Sequence, residues 1–336
     1  MEHEISYRTR DVALKVAIEH FISEWESGIA HFEVQTSGST GVPKTIILSR
    51  NQLIGSAQRT LDFFQLQPGN TALLGISPKT IGGKMMLVRS IIGKLKLIVC
   101  DPSSNPLTVL EPNEYLDFCP MVPLQIQTIL ATNPEKLQFV KTILFGGAPL
   151  SAHLEKQLQQ LDCACFHGFG MTETVSHIAI RKVGQPTYSA MKGVQFSAEG
   201  TQLVISDAIL GIQQLTTTDS VELIDSEHFN WLGRTDFAIN SGGVKIHPEQ
   251  LEQLLEGFIN GSFFISAEPD DTFGQKCIII VDETTETPSL EEIQHYCKQK
   301  FGPYAAPKKC YRTNIVYNQG SKINRLKTLQ QLGIKA

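Results

Sequence analysis

The stretch TSGSTGVPKT, residues 36–45, has the composition of a loop that binds an anion. Its glycines permit a tight turn that exposes backbone N–H groups, and its serines and threonines add hydroxyl donors. Lys44 contributes a positive charge. The loop follows HFEVQ, which is predicted to be a strand, and precedes a predicted helix. A phosphate-bearing ligand is therefore expected here in preference to an ordinary surface turn.

One residue separates this loop from the phosphate loop of P-loop nucleoside triphosphatases, whose pattern is G-x-x-x-x-G-K-[ST]. Gly38 is followed five positions later by Pro43, where that pattern has glycine. Proline has no N–H to donate and its φ is fixed, so it cannot replace that glycine. A phosphate loop of a different kind is indicated.

Three later stretches also carry groups that could do chemistry. In GFGMTETVSH, residues 168–177, a carboxylate could hold Mg²⁺ and a neighbouring hydroxyl could hold a phosphate. WLGRTDFAINSGGVKIHPEQLE, residues 231–252, combines an arginine and an aspartate with a Gly-Gly turn before a lysine. NQGSKINRLKTL, residues 318–329, presents Lys322 on a Gly-Ser turn. Taken singly, each of them also fits a helix cap, a turn or a solvated surface lysine.

Composition limits the class of protein. The 336 residues carry a net charge of −5, with no basic block, so a nucleic-acid partner is not expected. The N-terminus lacks the apolar segment of a signal peptide, and no apolar run is long enough to span a bilayer, so no membrane partner is expected either. Seven cysteines, an odd number, favour reduced thiols and a cytoplasmic location over a disulfide framework.

Hydrophobic periodicity predicts an α/β fold. Strands and helices alternate up to about residue 190, which favours largely parallel sheet layers. Short, turn-bounded β-rich stretches follow, namely GTQLVIS, QQLTTT, SVELID and HFNWLG, and these predict a small antiparallel β subdomain. After GRTD the predicted elements are a mixture of helices and strands, which is typical of an α+β unit. We therefore predict a large N-terminal domain of residues 1–234 and a C-terminal domain of residues 235–336.

In order and spacing, these stretches resemble the core motifs of the adenylate-forming superfamily: acyl- and aryl-CoA synthetases, peptide-synthetase adenylation domains and luciferases. The resemblance runs from about residue 32 to the C-terminus. The matched motifs are [ST]-S-G-[ST]-T-G-x-P-K at 36–44, Y-G-x-T-E at 169–173 with Phe169 for tyrosine, T-G-D at 217–219 with Thr218 for glycine, G-R-x-D at 233–236, G-G-x-K-I at 242–246 and S-G-K-I-x-R at 320–325.

The resemblance implies an enzyme that uses Mg²⁺ and ATP to convert a carboxylic acid into an acyl-adenylate, and then usually passes the acyl group to a thiol such as that of coenzyme A. It implies that Thr172 contacts the α-phosphate, that Glu173 binds Mg²⁺ and that Lys322 bridges the substrate carboxylate and the α-phosphate. The other nucleotide-binding residues that it implies are Thr36, Ser37, Gly38, Ser39, Thr40, Gly41 and Lys44 at the phosphates, Gly146, Gly147 and Ala148 on the adenine and acyl side of the pocket, Asp219 and Arg234 at the ribose, and Phe169 and Gly170 of the Y-G-x-T-E match.

For the second half-reaction, the resemblance implies that the C-terminal domain is mobile. Asp236 would be the hinge about which it rotates. Gly242, Gly243 and Lys245 would then face the active site during thioester formation.

Within the superfamily, TILFGGAPLSAHLEKQL and GFGMTETVSHIA look most like the o-succinylbenzoate–CoA ligases of menaquinone biosynthesis. The stretch ISPKTIGGKMMLVRS resembles their L-P-L-[FY]-H-x-[SG]-G-x-x-x-x-x-R-S segment, with Thr80 in place of the histidine. The resemblance implies an acid-binding group of Thr80, Gly82, Gly83, Lys84 and His177, although an ordinary helix-surface position would equally explain the histidine.

Alternatives to this function stay open: another acyl- or aryl-CoA synthetase, an adenylation enzyme that loads a carrier protein, or a non-catalytic homologue that binds a nucleotide or an acyl group. Only 35 residues precede the phosphate loop, so a minimal member is expected, with a homodimer as one way to cover an apolar face. Cys163, Cys165 and His167 alternate on one predicted strand, but no fourth ligand lies nearby in the sequence, so we do not predict a metal site there.

Overall fold

The computed structural model describes residues 4–35, 44–317 and 323–334. The helices are α1 (Val12–Glu26), α2 (Arg50–Phe63), α3 (Ile81–Gly93), α4 (Pro123–Thr132), α5 (Ala152–Leu158), α6 (Pro248–Leu255), α7 (Leu290–Phe301) and α8 (Arg325–Gln331). Within these described ranges, none of the helices has the length and apolar character needed to cross a membrane.

The first five strands are β1 (Glu4–Arg8), β2 (His31–Gln35), β3 (Thr45–Ser49), β4 (Thr71–Leu74) and β5 (Lys96–Cys100). Strands β6 to β14 are Cys119–Met121, Thr142–Phe145, Ala164–Gly170, His177–Lys182, Thr187–Ala190, Val194–Glu199, Gln202–Asp207, Ile212–Leu223 and His228–Arg234. Strands β15 to β19 are Ile239–Ser241, Val244–Ile246, Phe263–Asp270, Gly274–Asp282 and Lys309–Thr313.

A parallel three-stranded sheet, in the order β1-β5-β4, forms the first layer. The predicted helix after the phosphate loop is α2. Its N-terminus is closed by a capping box, in which the Ser49 hydroxyl accepts from the Gln52 N–H and the Gln52 side chain accepts from the Ser49 N–H. Further along α2, buried Arg59 donates to both carboxylate oxygens of Asp207, at 2.8 and 3.0 Å, which ties the helix to β12.

A nine-stranded sheet, in the order β11-β12-β13-β14-β10-β9-β8-β7-β6, carries most of the predicted site residues. Strands β6, β7 and β8 are parallel, and every later pairing in this sheet is antiparallel. The predicted antiparallel subdomain is therefore continuous with the parallel layer. The change of direction occurs because β8 returns through a short turn to β9, without the helical crossover that a parallel neighbour requires.

One detail of the predicted β region was wrong, and one of the two alternatives for His177 is excluded. QQLTTT and SVELID form the single long strand β13, because no Gly or Pro interrupts residues 212–223. His177 is not on a helix surface: it opens β9 and is buried. The helical alternative fails because residues 171–176 turn directly into the neighbouring strand of the sheet.

The C-terminal part has a sheet of its own, in which β16, β15, β18 and β17 follow one another and β19 pairs in parallel with β18. Its buried apolar side chains form two clusters whose members all come from residues after 238; examples are Ile246, Leu251, Ile279 and Ile293. The domain boundary at 234/235 and a hinge at Asp236 stay predictions.

Candidate active site

The strands β2 and β3 form the antiparallel hairpin that carries the predicted phosphate loop, and Gln35 pairs with Thr45 where the hairpin opens. Thr36, Ser37, Gly38, Ser39, Thr40 and Gly41 lie outside the described residues. Lys84 of α3 forms a hydrogen bond with this hairpin: its ammonium donates to the Glu33 carbonyl oxygen at 2.9 Å. Burial lowers the pKa of the Lys84 amine. The Lys84 ammonium also lies 5.8 Å from the centroid of the Phe21 ring on α1, so its described contacts are with this helix and with the strand that leads into the loop.

The predicted acid-binding residues Thr80, Gly82 and Gly83 form the start of α3. The Thr80 hydroxyl caps the helix, since it accepts from the Gly83 N–H at 3.3 Å and donates to the Ser77 carbonyl at 2.7 Å. A Cβ on Gly83 would lie 2.2 Å from the same carbonyl oxygen, so only glycine fits there. The residue types at 80 and 83 are therefore explained by the helix start.

Thr172 and Glu173 lie on the tight turn between β8 and β9. Buried Thr174 fixes this turn through its side-chain oxygen, which accepts from the Met171 N–H at 3.0 Å and lies 2.9 Å from the Ser176 carbonyl. Gly170 permits the close return of the chain, because a Cβ there would lie 2.1 Å from the Ser176 carbonyl oxygen. The turn leaves the Glu173 side chain exposed to solvent.

The residues on this turn fit a magnesium ion that is held mainly by phosphate. Across 4–35, 44–317 and 323–334, no group of three or more His, Cys, Asp or Glu side chains could hold a metal ion. Mg²⁺ is commonly bound through one or two carboxylates together with substrate phosphates and waters, and Glu173 could supply such a carboxylate. His167, by contrast, directs its ring nitrogens away from Cys163 and Cys165, to Tyr188 and Ala148.

The segment Gly146–Ala148 begins where β7 ends, at the carboxyl end of a parallel strand, a common position for ligands in α/β sheets. Gly147 adopts a φ of 86°, a conformation that favours glycine. His167, on the neighbouring strand β8, places its Nε2 atom 3.0 Å from the Ala148 carbonyl oxygen. The segment is thereby attached to the strand that ends in the Phe169–Glu173 motif.

Tyr188 of β10 brings several predicted residues together. Its hydroxyl lies 2.5 Å from Nδ1 of His167, and its ring centroid lies 5.8 Å from that of Phe169. Burial raises the pKa of the Tyr188 phenol, and the negative charge of Asp219 raises it further. Tyr188, which the sequence did not single out, therefore contacts Phe169 directly and is linked to the predicted adenine segment through His167.

Asp219 and Arg234 are directly opposite each other in the antiparallel pair β13–β14. Burial raises the pKa of Asp219, whereas a 2.8 Å hydrogen bond from the Trp231 indole N–H and the charge of Arg234 lower it. Arg234 also forms an ion pair with Asp236, with 2.6 Å between Nη2 and Oδ2. The predicted ribose contacts and the predicted hinge are thus neighbours.

Replacing Trp231 by phenylalanine is expected to weaken ATP binding, most strongly at acidic pH. Without the indole donor the pKa of buried Asp219 rises further, so the carboxylate that is predicted to accept from the ribose becomes protonated at a higher pH. We expect the KM for ATP to rise about tenfold near neutral pH. We also expect the pH below which this KM increases to be higher in the variant than in the parent protein. Trp25→Phe, at the other tryptophan, is the matched control; an unchanged pH dependence of the KM in the Trp231 variant would contradict this role.

Arg89 of α3 is the arginine of the matched segment ISPKTIGGKMMLVRS, and no role was predicted for it from the sequence. Its side chain is 2% exposed, its Nη2 donates to the Ser176 hydroxyl at 2.9 Å, and its Nε is buried without a hydrogen-bond partner among the residues described. Burial lowers the pKa of the guanidinium to about 10. The available signal was the position of this arginine in the R-S pair of that matched segment, within the apolar run KMMLVRSII.

His177 holds this arginine indirectly. The Thr60 hydroxyl donates to the Ser56 carbonyl at 3.1 Å, so it accepts from Nε2 of His177 at 3.2 Å. Nδ1 of His177 is then free to accept from the Ser176 hydroxyl, also at 3.2 Å, and that oxygen accepts from Arg89. Burial and the positive charges of Arg89 and Arg59 lower the pKa of His177 well below its usual range, which keeps the imidazole neutral.

The predicted thioester-step loop lies on the C-terminal sheet. Gly242 adopts a φ of 57° and would place a Cβ 2.4 Å from the Tyr304 ring, so no larger residue fits there. Gly243 is exposed, and the Lys245 ammonium donates to the Thr201 hydroxyl at 3.1 Å, which links the loop to the region preceding β12. Lys322 lies outside the described residues.

Comparison with known proteins gives a consistent result. The family model described as AMP-binding enzyme matches residues 34–211. The chain is similar to 2-succinylbenzoate–CoA ligases from Haemophilus influenzae, with 23% identity over 86% of this chain and 68% of the relative, and from Staphylococcus epidermidis, with 26% identity over 87% and 68%.

Solved structures with the same fold differ in length. An acyl-CoA synthetase (AMP-forming)/AMP-acid ligase II-like protein from Dyadobacter fermentans is 33% identical, with a TM-score of 0.63, over 96% of this chain and 95% of that one. O-succinylbenzoate coenzyme A synthetase from Bacillus subtilis, solved with ATP and magnesium ion, is 19% identical, with a TM-score of 0.76, over 88% of this chain and 69% of that one.

Proposed function

Because this chain belongs to the AMP-binding enzyme family, we propose that it is an ATP-dependent acid–CoA ligase that acts on 2-succinylbenzoate. The names of the curated relatives support this substrate, and the binding of ATP and magnesium ion by the B. subtilis protein supports the cofactors. The free thiols at all seven cysteines are compatible with the cytoplasmic location predicted from the sequence.

In the proposed first step, a carboxylate oxygen of the acid attacks the α-phosphorus of ATP, and pyrophosphate leaves. Thr172 would hold the α-phosphate and Glu173 the Mg²⁺, both presented by the turn between β8 and β9. Asp219 and Arg234 would bind the ribose, and Gly146, Gly147 and Ala148 would flank the adenine. Lys44, with the hairpin loop before it, would hold the phosphates.

In the proposed second step, the thiol of coenzyme A attacks the acyl carbon, and AMP leaves. The C-terminal part would rotate about Asp236 between the two steps and bring the loop of Gly242, Gly243 and Lys245 to the active site. This proposal is supported by the position of the Arg234–Asp236 ion pair, at the junction between the nine-stranded sheet and the C-terminal sheet.

The single observation that carries the choice of acid is Arg89. A buried guanidinium without a carboxylate partner is costly unless a ligand completes its hydrogen bonds. Arg89 contacts Ser176, which lies three residues after Glu173 in the chain. An acid with two carboxylates can present one for activation and pair the other with Arg89, and 2-succinylbenzoate is such an acid.

The experiment that tests the proposal is carboxylate-dependent ATP–pyrophosphate exchange with a panel of aryl acids, followed by detection of the CoA thioester. Exchange that is strongest with 2-succinylbenzoate is the expected result. Exchange that favours another acid would replace the substrate and leave the ligase. Transfer to a carrier protein in place of coenzyme A would change the acceptor, and no exchange with any acid would favour a non-catalytic binding protein.

Self-association as a homodimer stays a prediction. Val12 and Val16 of α1 are 69% and 57% exposed, so this helix offers apolar surface that a second copy could cover. Sedimentation at micromolar concentration is expected to show a dimer, and a pure monomer there would contradict it.

A further inference from the structure

Two buried polar rings lie directly behind the segment Gly146–Ala148. His167 is 6% exposed and Tyr188 is 5% exposed. Nε2 of the histidine is 3.0 Å from the Ala148 carbonyl oxygen, and Nδ1 is 2.5 Å from the tyrosine hydroxyl. The imidazole therefore bridges a side chain on β10 and the backbone that follows β7.

Hydrogen-bonding chemistry fixes where the protons lie in this bridge. A carbonyl oxygen can only accept, so Nε2 of His167 must carry the hydrogen. Burial and the positive charge of Arg181 lower the pKa of His167 to about 4, so Nδ1 is unprotonated at neutral pH and accepts from Tyr188. Tyr188 can fill this role because burial raises the pKa of its phenol.

Within the described part of the chain, few other contacts hold this segment. Gly146 and Gly147 have no side chains, and a Cβ on Gly146 would meet no atom within 4 Å. The Gly146 N–H donates to the Met121 carbonyl at 3.2 Å, which holds the start of the segment. The histidine holds its other end, at Ala148.

We propose that His167 is a positioning residue for the purine base of the nucleotide: through its Nε2–H it fixes the Ala148 carbonyl, and Tyr188 fixes the ring that does so. The inference rests on the proposed function, because it takes ATP as the ligand of this segment. It adds a pair, His167 and Tyr188, that lies outside the residues matched to the Phe169–Glu173 motif.

Two substitutions separate the two sides of the imidazole. In His167→Gln the amide nitrogen reaches the place of Nε2 and can donate to Ala148, whereas in His167→Asn the shorter amide reaches only the place of Nδ1, toward Tyr188. We expect the asparagine variant to bind ATP about tenfold more weakly, the loss of about one hydrogen bond. The glutamine variant should stay within about threefold of the parent protein.

Tyr188→Phe supplies a second route to the same test. It removes the hydroxyl that orients the imidazole but keeps the ring packed against Phe229, 5.3 Å away between centroids. ATP binding is expected to weaken by about threefold to tenfold, and discrimination between ATP and GTP is expected to fall. His153→Asn, at an exposed position on α5, is the matched control and should change neither quantity.

The measurements are equilibrium binding of ATP and GTP to the full chain, the KM for ATP and for the acid, and thermal unfolding of each variant. Weaker ATP binding by the asparagine variant, with glutamine rescue and an unchanged KM for the acid, supports the proposal. Equal effects of asparagine and glutamine, or losses for ATP and acid that follow the fall in Tm, would overturn it and leave His167 a packing residue. If the unsubstituted chain binds no adenine nucleotide, the proposed function itself fails, which is a distinguishable result.

Discussion

Replacing Lys322 by alanine is expected to slow acyl-adenylate formation by about 10³-fold and to leave thioester formation from preformed adenylate nearly unchanged. In the proposed first step two anions, the carboxylate and the α-phosphate, must approach each other, and the Lys322 ammonium would stabilise the charge that develops between them. The second step has no such meeting of anions. A much larger loss of rate in adenylate formation than in thioester formation would therefore indicate this role for Lys322.

The chain offers a close control for the Lys322 variant. Lys327 is an exposed lysine five positions later, on α8, and Lys327→Ala is expected to leave both half-reactions intact. The rates are measured separately, by pyrophosphate release with acid and ATP and by thioester formation from synthetic acyl-adenylate. Equal loss in both steps would show that Lys322 supports the fold or the position of the C-terminal part.

Replacing Arg89 by methionine is expected to reduce kcat/KM for 2-succinylbenzoate by about 10²-fold or more, the loss of charge-assisted hydrogen bonds in a buried site. For a monoacid analogue that keeps the activated carboxylate and lacks the one proposed to pair with Arg89, kcat/KM should fall little. Methionine has a similar length and no charge, and the described part of the chain shows no carboxylate paired with Arg89, so the substitution leaves no buried anion behind.

Arg89→Lys sharpens this test. It keeps the positive charge but loses the planar fork, so an intermediate loss for the diacid is expected. The kinetic constants of each variant are compared for the diacid and the monoacid, with thermal unfolding as the measure of stability. An equal loss for both acids, or a loss that accompanies a large fall in Tm, would mean that Arg89 serves packing and not recognition.

Much of this protein could be predicted from local sequence signals. The strand HFEVQ and the helix α2 form where the sequence predicts a strand and a helix, but the loop after HFEVQ leads first into β3, which was not predicted from the sequence. The resemblance to the adenylate-forming superfamily is confirmed by the family match. These features depend on short-range spacing, which a single sequence records directly.

The contacts around the site could not be predicted in the same way. His167 meets Ala148 and Tyr188 across strands, at separations of 19 and 21 residues, and Arg89 meets Ser176 at a separation of 87 residues. Such contacts depend on which strands become neighbours. The direct return from β8 to β9, which sets that order, depends on Gly170 and on buried Thr174. Gly170 belongs to the matched Y-G-x-T-E motif, but that motif does not indicate which strands become neighbours.

The hairpin of β8 and β9 also has a consequence for how the protein loses structure. It joins the parallel and antiparallel halves of the large sheet into one hydrogen-bonded ladder, so we expect β6 to β14 to exchange their amide hydrogens as one cooperative unit. The C-terminal sheet has a separate core, so we expect it to open independently of the large sheet. A destabilising substitution as distant as β11 is then expected to disrupt the strands that carry the proposed nucleotide-binding residues, whereas opening of the C-terminal sheet alone is expected to leave those strands folded.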